Sequence, residues 1–105
     1  MIIQYSKLVR DKIPEIITAS GKTCSTEILP ADRYLEMLDK KLDEELAEYH
    51  QDPNLEELAD LLEVIHAAAQ ARGYTLEELE QVRAEKAQKR GGFGKRIFLK
   101  EVSEA

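Results

Sequence analysis

Between Leu35 and Ala69 the chain places leucine and other apolar residues at helical intervals, and the run is broken only by Asp52, Pro53 and Asn54. Leu35, Leu38, Leu42, Leu46 and Tyr49 recur in steps of three and four, the period of an amphipathic helix. The pattern resumes with Leu55, Leu58, Leu61, Leu62, Val64 and Ile65. A break this short leaves the second helix one course, back along the first, so an antiparallel hairpin is the fixed element around which everything else must fit. The predicted helices cover residues 31–50 after Pro30 and 55–72 after the Asp-Pro-Asn turn.

Two more helices flank the hairpin. A short one runs from an Asp11 cap to about Ser20, with Pro14 tolerated in its first turn and Gly21 stopping it. The other covers residues 76–90, opened by a capping box of Thr75 and Glu78 and closed by Gly91 and Gly92. Residues 23–29 and 96–102 lack helix signals and are richer in β-formers, which suggests a small two-stranded ribbon. The expected fold is all-α, an antiparallel helical bundle forming a single domain over residues 1–105.

Composition then removes several classes. The lone Cys24 permits no internal disulfide, and with only two histidines the chain cannot build a four-ligand zinc site by itself. Cys24 reads as a small packing residue in a reducing compartment. The first dozen residues carry only short apolar pieces separated by charge, which fits neither a signal peptide nor a membrane span, so a cytoplasmic protein is expected. A net charge of −6 disfavours binding to nucleic acid polymers, since neutralising phosphates needs surplus Lys and Arg. A chain of 105 residues buries a modest core, so an oligomer is expected to complete it.

The acidic residues are where the pattern departs from a plain solvated surface. At about 100° per residue from Leu35, Glu44 points away from the leucine stripe, whereas Glu45 falls near 280°, beside Leu38, and Glu48 near 220°, at the stripe's flank. On the next helix, counted from Leu55, the apolar arc spans about 180° to 340°, which predicts a largely buried helix. Glu57 lies within that arc and Asp60 at its border, while Glu56 and Glu63 point away. Each inward pair is spaced i, i+3, side by side on one face, and the hairpin brings the two pairs opposite each other.

Carboxylates gathered in a partly buried place repel one another and call for positive charge. An all-oxygen donor set suits Mg²⁺, or Mn²⁺, better than zinc or copper, and Mg²⁺ characteristically shares its coordination with phosphates. The bland alternative is an ion network closed by Lys40, Lys41 or a partner's arginine. Glu63 and His66 also form a Glu-x-x-His step, but a di-iron bundle needs two of these and two further Glu helices.

Charge reverses towards the end of the chain, where Lys86 and Arg90 share a helical face, Lys95 and Arg96 follow, and Gly91, Gly92 and Gly94 expose backbone N–H groups. Such a segment suits a phosphate, although basic residues there also simply complement the helix dipole. Lys7, Arg10 and Lys12 form a second basic group, with two possible roles open: reaching the same site, or solvating the first helix.

The run Glu44-Glu45-Leu46-Ala47-Glu48 followed by Glu57-Leu58-Ala59-Asp60 resembles the E-x-x-E then E-x-x-D signature of the all-α nucleoside triphosphate pyrophosphohydrolases, the superfamily of MazG, the dimeric dUTPases and phosphoribosyl-ATP pyrophosphohydrolase. The stretch from Tyr5 to Pro14 and the segment from Lys86 through Arg90-Gly91-Gly92-Phe93 resemble its small single-domain MazG-like members. The resemblance implies that Glu45, Glu48, Glu57 and Asp60 hold magnesium and that Lys86 and Arg90 lie near substrate phosphates; Arg96 is added on charge alone. It further implies a homodimer or tetramer acting on a small-molecule nucleotide. Only eight residues separate Glu48 from Glu57, fewer than in many such proteins, which shortens the turn. The expected activity is Mg²⁺-dependent cleavage of a nucleoside triphosphate to the monophosphate and pyrophosphate. The alternatives are phosphoribosyl-ATP pyrophosphohydrolase and, from another class, a helical adaptor that binds a basic partner through its acidic face.

Overall fold

A computed structural model describes residues 1–104. Among these the structure is all helical, with four helices and no strand: α1 (Ile13–Ala19), α2 (Ala31–Gln51), α3 (Leu55–Ala71) and α4 (Leu76–Arg90). Packing groups the chain into two compact units, Met1–Tyr74 and a second that begins at Thr75. No helix among the described residues is long and apolar enough to cross a membrane.

The first unit is organised by the hairpin of α2 on α3. Leu35, Leu42 and Tyr49 of α2 and Leu61, Val64 and Ala68 of α3 are half-buried, while Leu38 is the one buried apolar residue among those described. The turn between the helices is a compact polar knot. Asn54 Oδ1 accepts the Glu57 N–H at 2.9 Å, capping α3, while its Nδ2 donates to the Asp52 carbonyl at 3.1 Å. Asn54→Ala removes that cap and is expected to cost about 1 kcal/mol of stability, measurable as a lowered urea midpoint; an unchanged midpoint would show that the cap is dispensable.

Three sequence expectations need correction. Asp11 does not cap α1: Pro14 is confined to the first turn, so the helix starts at Ile13 and Lys12 takes the cap position, with no side-chain cap bond. Residues 23–29 and 96–102 form no ribbon; their β-prone side chains suit a pleat, but a lone pair of strands is marginal without further strands or a helix to pack on. Cys24 is exposed rather than packed, because no element covers its extended segment.

The expected largely buried α3 is not seen. Helix α3 contains no fully buried residue. Its side towards α2 is half-covered, but Leu55, Leu58, Leu62 and Ile65 are exposed. One neighbouring helix shields only part of an apolar arc that wide.

In the second unit, α4 keeps its predicted bounds and its capping box, with Glu78 N–H to Thr75 Oγ1 and Thr75 N–H to Glu78 Oε1 both at 3.0 Å. Gly91 stops the helix at φ 82°, a conformation that disfavours a residue bearing a Cβ.

Candidate metal centre

The hairpin turns Glu45 of α2 towards Glu57 and Asp60 of α3, and one oxygen from each lies within 4.8 Å of the others. Glu45 is 7% exposed, the one buried charged residue among those described. Ligand oxygens on a Mg²⁺ ion are about 3 Å apart when adjacent and about 4 Å when opposed, given metal–oxygen bonds near 2.1 Å. A side-chain adjustment of about an ångström would therefore bring the three onto one ion. Two of the oxygens, Glu45 Oε2 and Glu57 Oε2, are buried with no hydrogen-bond partner. Such an orphaned acceptor is costly unless something positive completes it, and this is the physical sense in which the residues fit a divalent cation.

Electrostatics point the same way. Burial, and then the hydrogen bond and charge of Glu48, push the Glu45 carboxyl above its ordinary range, with Lys41 opposing. The Lys41 ammonium lies 3.5 Å from Glu45 and 3.3 Å from Glu44. The Lys7 ammonium lies 3.6 Å from Glu44, and Arg10 Nη2 donates to Asp60 Oδ1 at 2.7 Å. So the bland alternative of an ion network is partly realised, by Lys41 but with Lys7 and Arg10 in place of Lys40. It does not close: the carboxylates of Glu44, Glu45, Glu48, Glu57 and Asp60 face three cations, leaving a residual charge of two negatives near neutral pH. One divalent ion matches that residue in sign and size.

Of the predicted ligands, Glu45, Glu57 and Asp60 converge. Glu48 groups with Glu44 and Glu45 instead, and it is exposed at the rim rather than turned inward, because α3 does not cover that flank of α2. Glu44, which helical phase placed on the solvent side, is half-buried and joins the same rim. Its signal was its spacing from Lys41, one turn earlier on the helix. Lys7 and Arg10 pair with acidic residues of the hairpin, Lys7 with Glu44 and Arg10 with Asp60. Lys86, Arg90 and Arg96 belong to the second unit, where Arg96 adopts φ 59° and its N–H donates to the Phe93 carbonyl at 3.1 Å. Phe93, Arg96 and neighbouring residues line a hollow of about 270 Å³ there. Glu63 and His66 join neither carboxylate group among the described residues, so the di-iron alternative finds no support.

Comparison with known proteins brings a partial likeness. A protein of Mycolicibacterium smegmatis, described only as uncharacterized, is 56% identical over 43 residues, which are 41% of this chain and 44% of that protein. The chain thus matches less than half the length of that relative. No protein-family model matches the chain, and no solved structure matches it.

Proposed function

We propose that the chain is a cytoplasmic, Mg²⁺-dependent nucleotide pyrophosphohydrolase of the MazG-like helical type, cleaving a nucleoside triphosphate or a related nucleotide to the monophosphate and pyrophosphate. The observation that carries the proposal is the convergence of Glu45, Glu57 and Asp60 around two buried oxygens that have no partner. Glu45, Glu57 and Asp60 would hold the ion, with Glu48 at the rim as a further donor. When bound, magnesium neutralises phosphate charge and lowers the pKa of a coordinated water.

The chain's own groups supply the rest. Arg10 and Lys7 stand against the acidic cluster with flexible, partly exposed side chains, placed to take up phosphate oxygens delivered there. A carboxylate of the rim accepts the proton lost by the attacking water. Within the second unit, Lys86, Arg90 and Arg96 form a separate basic group whose charge suits phosphate.

The test is pyrophosphate release from canonical and modified nucleoside triphosphates and phosphoribosyl-ATP, with and without Mg²⁺. We expect Mg²⁺-dependent release from at least one substrate and a loss of about 100-fold or more in kcat for Glu57→Gln, with helix content preserved. Inactivity across the panel in the presence of bound Mg²⁺ would overturn the proposal and favour the adaptor alternative. Release from phosphoribosyl-ATP alone would assign the biosynthetic activity.

A further inference from the structure

Among the cations around the acidic cluster, Arg10 is held differently from Lys41. Lys41 belongs to the same helix as the carboxylates it serves, one turn before Glu44 and Glu45, and its side chain is only 17% exposed. Arg10 reaches the cluster from fifty positions away and binds a single group there, its Nη2 donating to Asp60 Oδ1 at 2.7 Å. Both side chains of that pair are open to solvent, at 57% and 42% exposed. Exposed pairs of this kind are weak and exchange readily.

The backbone of Arg10 is nevertheless anchored. Its carbonyl accepts the Ile13 N–H at 3.0 Å and so closes the turn that leads into α1. What can move is the side chain, whose guanidinium offers five N–H donors in a planar fork. Asp60 takes one of them, and among the described residues the fork makes no other hydrogen bond.

Asp60 is also one of the three carboxylates that converge, with Glu45 and Glu57. A guanidinium on one carboxylate oxygen weakens the pull of the other oxygen on a cation, because the shared negative charge is partly neutralised and the two positive charges repel. Five carboxylates stand against three cations near neutral pH, and withdrawing Arg10 raises the uncompensated charge from two negatives to three. A phosphate is the ligand able to withdraw it: a guanidinium grips phosphate through two parallel N–H bonds, whereas it holds Asp60 through one.

We propose that Arg10 is a positioning residue that couples the two ligands of this site. In the ion's absence it serves as the counter-ion of Asp60; when a phosphate arrives it swings onto the phosphate oxygens and releases Asp60 to the divalent ion. The ion alone therefore binds against Arg10, and the ion together with a phosphate binds with its help. Such a coupling is reciprocal, so phosphate tightens the hold on the cation by the same factor as the cation tightens the hold on phosphate. The coupling presupposes the ion site proposed above, though not its hydrolytic activity.

The test follows Mn²⁺ binding to the full chain by loss of the free-ion paramagnetic resonance signal, with and without inorganic phosphate, in wild type, Arg10→Gln and Lys7→Gln. Both substitutions fall on exposed side chains, and circular dichroism checks that helix content is kept. Without phosphate, Arg10→Gln should bind Mn²⁺ at least about five-fold more tightly than wild type. Lys7→Gln removes the same charge from Glu44, outside the converging three, and should change the affinity by no more than about two-fold. Phosphate should tighten Mn²⁺ binding at least about five-fold more in wild type than in Arg10→Gln. Weaker Mn²⁺ binding by Arg10→Gln would make Arg10 a fixed orienter of Asp60 and overturn the proposal. Equal gains from Arg10→Gln and Lys7→Gln, or the same response to phosphate in wild type and Arg10→Gln, would overturn it too. Mn²⁺ bound by none of the three proteins, with or without phosphate, would remove the ion site itself and the coupling with it.

Discussion

Glu45→Gln is expected to make the protein more stable in EDTA and insensitive to added magnesium. In the folded chain the Glu45 carboxyl is buried, carries an unpartnered oxygen and holds its proton above the ordinary value of 4.5. A folded carboxyl with a raised pKa stabilises the fold while protonated. That contribution is complete below about pH 4.5 and is lost as pH rises through the folded value. At pH 7 the ionised group is therefore a cost, which a neutral amide of the same shape avoids. The gain for Glu45→Gln should be present at pH 7 and should shrink as pH falls through the folded value of Glu45, read from urea midpoints of variant and wild type across that range. Mg²⁺ at about a hundred times its dissociation constant should stabilise the wild type by about 2.7 kcal/mol and leave the variant unmoved. A variant weaker than wild type at pH 7, or one that keeps the full magnesium response, would remove Glu45 from any ion site.

The other large effect concerns packing. Leu38 is the single buried apolar side chain of the described residues, so its truncation removes the centre of the core. Leu38→Ala should cost about 3 kcal/mol, within the range of buried leucine truncations. For a chain of this size that corresponds to a fall in melting temperature of more than 10 °C. The same replacement at exposed Leu46 should cost under 1 kcal/mol if its surroundings remain open to solvent. A loss at Leu38 no greater than that at Leu46 would place the core elsewhere.

How much of this was legible in the residues depends on whether the cause was local. Helix α4 was read to both ends because Thr75, Glu78 and Gly91 act within a turn of where they sit. The hairpin followed from a turn too short for any alternative, and with it the meeting of Glu45 with Glu57 and Asp60. What could not be read depends on groups far apart in sequence. That Arg10 reaches Asp60, fifty positions away, is invisible to periodicity. Nor does helical phase say how wide a strip a neighbour covers, and this is why Glu48 proved exposed, Glu44 half-buried and α3 open along one side. The ribbon failed for the converse reason: propensity describes a residue's suitability for a strand and is silent about whether another strand is near.

The hairpin that brings Glu45 to Glu57 and Asp60 also sets when the acidic pocket comes into being. All three side chains lie within a single pair of helices joined by Asp52, Pro53 and Asn54, so the loop to be closed is short and its entropic cost small. Helical hairpins of this kind assemble on microsecond to millisecond timescales, far faster than a ribosome adds residues. The pocket can therefore form while the basic C-terminal unit is still being synthesised.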